Sequence, residues 1–131
     1  PSWVVIHDGA RPCVRKELII DGLEAVRETG AAIPVIPVID TIKYVSSRGI
    51  VESTAKRDDL WAVQTPQFFG YNYLLAAHEK CTAVVTDDAT MLESLGYPVK
   101  VFPGSPSNIK VTTEADLLLV EAILCKERGY S

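Results

Sequence analysis

The sequence predicts an α/β fold built on a mostly parallel sheet. Two apolar runs, at residues 3–7 and 31–38, are typical of buried strands, and a helical pattern lies between them. A strand, a helix and a second strand at this spacing predict a right-handed crossover, in which the two strands are parallel. The strand ends, marked by Asp8 and Asp40, are therefore expected at one edge of the sheet, where α/β proteins bind ligands.

The helix of this unit is predicted over residues 16–28. Ile19, Leu23 and Val26 recur at helical spacing and are expected to share its buried face. Gly30 lies just beyond the last turn, where glycine commonly ends a helix in the left-handed conformation.

A β-arm is predicted at about residues 40–58. Two short strands, 41–45 and 50–54, flank the turn-forming residues 46–49, which indicates a β-hairpin. Its apolar content is too low to build a core, so we expect the arm to project and to lie against something else.

The rest of the chain predicts further helices and short strands. These are a helix over residues 71–82, a helix capped by Thr86 and ending at Ser94, strands over 99–102 and 108–112, and a final helix. Thr113 and Asp116 resemble a capping box at the start of the final helix. Apolar residues lie on nearly every side of that helix, which predicts that it is buried on most sides.

The composition bounds the class of protein. With 131 residues, 47% of them hydrophobic, residues 1–131 are expected to form one domain or a piece of one, and the chain opens on a strand as if beginning mid-fold. A net charge of -4 argues against a nucleic-acid or anionic-membrane partner. The longest apolar runs are too short to span a bilayer and no signal peptide is recognised, so a soluble intracellular protein is expected.

The three cysteines, Cys13, Cys81 and Cys125, are odd in number and widely spaced. They predict neither a disulfide framework nor a zinc site, and we expect reduced, buried thiols.

Asp8 and Arg11 are the first candidate site residues. At the end of a strand, an acid with a base three residues later offers a magnesium ligand and a phosphate contact. An Asp-Gly turn with a solvated arginine explains the same residues equally well. His7 is expected to be a structural histidine.

Other polar segments are weaker candidates. Residues 61–69 mix amides and hydroxyls with large apolar groups, as the wall of a small-ligand site does, although a packed loop has the same composition. Lys110 is a phosphate-binding candidate or an edge-strand lysine. The acids after Thr86 fit a helix N-terminus. The chain has no glycine-rich phosphate loop, so a complete nucleotide site is not predicted.

Five motifs taken together resemble the methylerythritol-phosphate cytidylyltransferase family. They are HDGARP at 7–12, DTIK at 40–43, KRDDLWAVQTPQFF at 56–69, TDDA at 86–89 and NIKVT at 108–112. The resemblance covers nearly the whole chain but only the later part of the family's sequence, without its N-terminal glycine-rich CTP loop. It implies a Rossmann-like nucleotidyltransferase fold, a homodimer joined by the β-arm, and transfer of CMP from CTP to a polyol phosphate with Mg²⁺ in isoprenoid biosynthesis.

The resemblance also implies residue roles. Asp8 would lie by the magnesium and the triphosphate, and Arg11 would bind the methylerythritol. Lys110 would hold the attacking phosphate, as would Arg57 acting across the dimer. The remaining substrate-binding residues implied are Thr41, Thr65 and Thr86. It implies a cytoplasmic enzyme, or one in the plastid stroma if the source is a plant.

Two alternatives stay open. A cytidylyltransferase for another polyol phosphate, such as ribitol 5-phosphate, would have closely related motifs. A non-catalytic dimerisation module could keep the fold without the nucleotide loop.

Overall fold

The computed structural model describes residues 2–80 and 87–129 and confirms the α/β class. The strands are β1 (Trp3–Ile6), β2 (Ala31–Pro37), β3 (Lys43–Val45), β4 (Val51–Thr54), β5 (Trp61–Val63), β6 (Gln67–Gly70) and β7 (Lys100–Pro103). The helices are α1 (Lys16–Thr29), α2 (Tyr71–Lys80), α3 (Asp88–Ser94) and α4 (Glu114–Glu127), with a 3₁₀ turn at Arg57–Asp59.

The main sheet is centred on β2. Its residue Ala32 pairs with Phe68 of β6 on one edge and with Lys100 of β7 on the other, and further along Val35 pairs with Val63 of β5. β5 and β6 therefore follow the same edge of β2 in succession, and β1 lies beyond β6.

The expectation of a mostly parallel sheet is wrong. Among the described strands, β2 and β7 pair in parallel, whereas the pairings of β6 with β1 and β2, and of β5 with β2, are antiparallel. The reason is that residues 61–69, interpreted from the sequence as either the wall of a small-ligand site or a packed loop, contribute to two antiparallel strands, β5 and β6. β1 and β2 are nevertheless parallel to each other, because both run antiparallel to β6, and they point towards the same edge.

The core lies on both faces of β2. Ala31, Ile33 and Val35 face α2 and α3, whereas Ala32 faces α1 together with residues of the flanking strands. Alternate residues of a strand point to opposite faces, so a continuous apolar run is what a strand buried on both sides requires. The sheet thus lies between α1 on one face and α2 and α3 on the other.

The helix ends follow local sequence chemistry. Gly30 ends α1 at a φ of 87°, as expected, and its N–H donates to the Val26 carbonyl. The capping box of Thr113 and Asp116 is present at the start of α4. Asp87, rather than Thr86, caps α3 by accepting from the Thr90 N–H, and Thr86 lies outside the described residues.

Strands β3 and β4 form the predicted arm as a separate two-stranded sheet. Every residue of the two strands is exposed, including Tyr44, Val45 and Val51. Gly49 takes a left-handed φ of 79° in the turn.

Several expectations about burial and the final strand are wrong. Residues 108–112 form no strand, because isolated hydrogen bonds of Asn108 and Val111 hold them in place rather than continuous pairing with a neighbouring strand. In α4 only Val120 is buried and Leu118 is 67% exposed, because the described residues cover one side of this helix. In α1, Val26 is buried as predicted and Leu23 is half-buried against the same core cluster, whereas Ile19 is exposed and Leu18 and Gly22 are buried in its place.

The two cysteines within the described residues differ in burial. Cys13 is buried, as expected, but Cys125 is exposed, because it lies on the uncovered side of α4. Cys81 lies outside the described residues. No helix in the described ranges has the length and apolar content needed to cross a bilayer.

Candidate active site

The loop after β1 is folded tightly around Asp8. One carboxylate oxygen, Oδ1, accepts the Ala10 N–H at 2.9 Å, and the Asp8 carbonyl accepts the Arg11 N–H at 3.0 Å. An aspartate that bonds to the backbone two residues later is the usual chemistry of an Asx turn. The turn brings Asp8 and Arg11 to the same side of the loop, at the end of the strand.

Thr65, from the connection between β5 and β6, lies against this turn. Its Oγ1 accepts the Asp8 N–H at 3.0 Å and lies 3.0 Å from Nδ1 of His7, whose Nε2 is 2.9 Å from the Arg11 carbonyl oxygen. A carbonyl only accepts, so the proton of neutral His7 is assigned to Nε2, and Thr65 donates its hydroxyl proton to Nδ1. His7 is thus placed as a structural histidine would be.

Lys110 completes the cluster from the other end of the chain. Its Nζ lies 3.4 Å from Oδ2 of Asp8, and its side chain remains 53% exposed. The Ala10 N–H holds the pKa of Asp8 below its ordinary value, and Lys110 lowers it further. Exposed ion pairs are weak, so both charges are available to a ligand.

Arg11 is held by the same segment as Lys110. One guanidinium nitrogen, Nη1, donates to the Asn108 carbonyl at 2.7 Å. Partial burial lowers the pKa of Arg11, and the neighbouring Asp8 opposes that effect. The buried Arg11 Nε and Asn108 Oδ1 have no hydrogen-bonding partner among the described residues.

The other predicted site residues lie elsewhere. Thr41 and Arg57 are exposed at the base of the arm, where Nη1 of Arg57 donates to the Ile39 carbonyl at 2.7 Å. Within the described ranges, no hydrogen bond or ion pair links them to Asp8 or Lys110. Thr86 cannot be placed, since it lies outside those ranges.

The structure adds two residues to which the sequence assigned no role, Gln64 and Asn108. Both are buried amides that hydrogen-bond to the segments carrying Thr65 and Lys110. Gln64 lies inside the 56–69 motif and Asn108 begins the 108–112 motif, but burial of an amide side chain cannot be predicted from its presence in a motif.

A metal held by protein groups alone has no candidate among the described residues, which contain no cluster of three or more His, Cys, Asp or Glu side chains. Asp8 is a single, half-buried carboxylate with its Oδ2 facing Lys110.

Comparisons with known proteins agree on one family. The family model for 2-C-methyl-D-erythritol 4-phosphate cytidylyltransferase matches residues 1–126. The enzyme of that name from Dehalococcoides mccartyi strain CBDB1 is 45% identical over 127 residues, which are 97% of this chain and 56% of the relative. The one from Prochlorococcus marinus is 49% identical over 124 residues, covering 92% of this chain and 55% of the relative.

Solved structures give the same result. The crystal structure of the cytidylyltransferase from Thermus thermophilus superposes with a TM-score of 0.83 at 37% identity, over 93% of this chain and 61% of the other. The Francisella tularensis structure gives 0.84 at 38% identity, over 92% and 58%. The chain spans about half the length of the curated relatives it matches. It belongs to the 2-C-methyl-D-erythritol 4-phosphate cytidylyltransferase family, with that family's Rossmann-like nucleotidyltransferase fold.

Proposed function

We propose that this protein contributes the acceptor side of an active site that transfers CMP from CTP to 2-C-methyl-D-erythritol 4-phosphate and releases pyrophosphate. The observation that carries the proposal is the cluster of Asp8, Arg11 and Lys110 at the carboxyl end of β1, in a chain of this family. The reaction belongs to non-mevalonate isoprenoid biosynthesis. We place it in the cytoplasm, or in the plastid stroma of a plant.

The transfer reaction determines what the site must provide. A phosphate oxygen of the acceptor attacks the α-phosphorus of CTP, a bond forms between them, and pyrophosphate leaves. Such a step needs neutralised charge and alignment more than it needs an acid or a base. Lys110, exposed beside Asp8, would hold the attacking phosphate, and Arg11 would bind the polyol.

Magnesium is part of the proposal. Mg²⁺ commonly takes one or two carboxylates, with the remaining ligands from water and substrate phosphates, so the single carboxylate of Asp8 fits it. When bound, Mg²⁺ would neutralise charge on the triphosphate. The low pKa of Asp8 keeps the carboxylate ionised for that purpose.

The hydroxyl-bearing residues have narrower roles. The Thr65 hydroxyl uses its one proton in the hydrogen bond to His7. Its remaining lone pair can accept a hydrogen bond from a ligand, which suits a polyol hydroxyl. Thr86 is proposed to contact the substrate hydroxyls as well.

The arm would complete the site across a homodimer. Thr41 and Arg57 flank the arm, and among the described residues no hydrogen bond or ion pair joins them to Asp8 or Lys110. We therefore propose that they reach the acceptor phosphate of the partner subunit. The groups that bind the triphosphate are proposed to lie in the family's N-terminal glycine-rich segment, which the 131 residues do not include.

Pyrophosphate release tests the proposal. We would fuse the chain to the part of the Dehalococcoides mccartyi enzyme that it does not match, and assay the fusion with CTP, Mg²⁺ and either 2-C-methyl-D-erythritol 4-phosphate or ribitol 5-phosphate. We expect a kcat/KM at least about tenfold higher for the methylerythritol compound, since one well-placed group is worth roughly that factor.

The alternatives give different results in the same assay. A preference for ribitol 5-phosphate would reassign the acceptor. A folded fusion that binds CTP but turns over neither compound would favour a non-catalytic module.

A further inference from the structure

Two buried amide side chains lie directly behind the exposed cluster. Gln64 is 5% exposed and Asn108 is 1% exposed. The Gln64 side-chain amide makes two hydrogen bonds with the Ser105 backbone. Its Nε2 donates to the Ser105 carbonyl at 2.8 Å, and its Oε1 accepts the Ser105 N–H at 3.1 Å. We call Gln64 and Asn108 the amide pair, because Oε1 also accepts from Asn108 Nδ2 at 3.4 Å.

Asn108 links two parts of the site. Its side-chain Nδ2 donates to the Thr65 carbonyl at 2.8 Å, and its main-chain carbonyl accepts from Nη1 of Arg11 at 2.7 Å. Three residues later the Val111 N–H donates to the Ala10 carbonyl at 2.8 Å. Lys110 is therefore bracketed by two attachments, one on each side.

These attachments matter because residues 104–112 form neither helix nor strand. A lysine has a long, flexible side chain, so its ammonium group is placed well only if its backbone is fixed. In this segment the backbone is fixed by the hydrogen bonds of the amide pair, by the Arg11 bond to the Asn108 main-chain carbonyl and by the Val111 bond. A shift of about 1 Å in a charged group that aligns a nucleophile is enough to lose on the order of a hundredfold in rate.

The backbone at Gly104 is shaped around the same amide. A Cβ at this position would lie 2.5 Å from Gln64 Oε1 and 3.3 Å from the Val35 carbonyl oxygen. Only a residue without a side chain allows Gln64 to reach the Ser105 backbone. The absence of a side chain at Gly104 is thus a second feature on which the hydrogen bonds of Gln64 depend.

We propose that Gln64 and Asn108 are positioning residues of the acceptor-phosphate site and act chiefly through Lys110. The inference rests on the proposed function, because it takes Lys110 as the group that holds the acceptor phosphate. The amide pair touches no substrate. It sets where the ammonium group of Lys110 stands relative to Asp8 and Arg11.

Coupling between Asn108 and Lys110 tests the inference. Binding of 2-C-methyl-D-erythritol 4-phosphate to the 131-residue chain would be followed by NMR chemical-shift titration, which reaches millimolar Kd values. Asn108→Ala is expected to weaken binding about tenfold alone, and less than about threefold when Lys110→Ala is already present, because positions that act through one another are not additive. A merely structural role would give equal factors in the two backgrounds.

Matched variants make the outcome specific. Ser107→Ala removes a hydroxyl in the same segment, bonded to the Ser105 hydroxyl at 2.8 Å, and should leave the Kd unchanged. Gln64→Met, of similar size but without an amide, should repeat the effect of Asn108→Ala and replaces it if that variant does not fold. Equal factors in both backgrounds would overturn the inference. A wild-type chain that does not bind the compound would instead overturn the proposed function, and the inference with it.

Discussion

Lys110 and Arg57 are the two cations proposed for the acceptor phosphate, and they are held differently. Lys110 pairs with a carboxylate that a ligand can replace, whereas Arg57 donates one N–H to the Ile39 carbonyl and makes no other side-chain hydrogen bond among the described residues. Both side chains are exposed. Each can therefore meet an anion without breaking a buried contact.

Arg57→Ala and Lys110→Ala should cripple turnover in the fusion while leaving CTP binding nearly intact. Each removes a charge-assisted contact that positions the nucleophile, which costs a few kcal/mol, on the order of a hundredfold or more in rate. The triphosphate is assigned to other residues, so the Kd for CTP should change little. Steady-state kinetics and calorimetry measure the two quantities, with Arg27→Ala on the exposed face of α1 as a control.

Mixing subunits tests whether Arg57 acts across a dimer. A subunit carrying Arg57→Ala and one with an inactivating change in the glycine-rich loop should regain part of the activity, because one of the two sites then has both elements intact. No recovery in such heterodimers would place Arg57 in its own subunit's site. Unimpaired turnover in either single variant would mean that the family roles lie on other residues.

At the scale of elements, α1 owes its close approach to the sheet to Gly22. This glycine is buried against the ring of Phe68, which is itself fully buried, and a Cβ there would overlap the ring. Glycine inside a helix normally weakens it, so the close packing is the reason for its presence.

Gly22→Ala should therefore destabilise the protein although alanine is the better helix former. The gain in helix propensity is about 1 kcal/mol, whereas overpacking a core costs about 1–3 kcal/mol. We expect a net loss of about 0–2 kcal/mol in urea unfolding, the overpacking cost less the propensity gain, and towards the upper end because the added Cβ would overlap the Phe68 ring. Phe68→Leu should remove most of the additional cost in the double variant. An increase in stability for Gly22→Ala alone would show that α1 does not pack this closely.

The capping box of α4 makes stability depend on pH. The Thr112 hydroxyl and N–H, and then Thr113, hydrogen-bond to the Asp116 carboxylate and lower its pKa below the ordinary 3.8. Since the folded pKa is the lower one, the stabilisation is fully present above the unfolded pKa and is lost as the pH falls from about 3.8 through the folded pKa.

Asp116→Asn keeps the shape but cannot ionise. We expect wild type to be the more stable of the two at neutral pH, and the difference in unfolding free energy to shrink below pH 3.8. Chemical unfolding at several pH values measures it. Glu24→Gln, which removes an exposed carboxylate from α1, is the control, and a difference that grows on acidification would have the wrong sign for this cap.

At the scale of the whole molecule, the arm stands out because the other described residues do not cover either of its strands. The cross-strand neighbours Val45 and Val51 are 55% and 56% exposed. A two-stranded hairpin alone is marginal in water. An arm that stays ordered needs a further surface, and a second copy of the chain is the one the family resemblance implies.

Sedimentation should show a dimer that depends on the arm. Val45→Asp together with Val51→Asp should shift the protein towards monomer, because buried carboxylates without partners oppose association. Ile20→Asp on α1 changes an equally exposed apolar residue and should leave the dimer intact. A wild-type monomer at high concentration with an ordered arm would contradict this prediction.

Local chemistry was sufficient to predict much of the fold. The cap at Gly30, the capping box at Thr113 and the arm were predicted because each depends on residues within a few positions of one another. The strand-end motifs led to Asp8 and Arg11 for the same reason. Hydrophobic periodicity predicted that β1 and β2 are both buried, which is confirmed for β2, whereas Val5 and Ile6 of β1 are 45% and 36% exposed. Periodicity also carries no information on which strand lies between them.

The sequence by itself therefore determined the α/β class, the family and the candidate cations. Only the tertiary structure decided that β6 separates β1 from β2, that Lys110 meets Asp8, and that Gln64 joins Asn108 across 44 positions of sequence. It also decided that α4 stays largely uncovered. The physical reason is that side-chain character sets the need for burial or for a hydrogen bond, while the partner that meets the need is chosen by how distant segments pack.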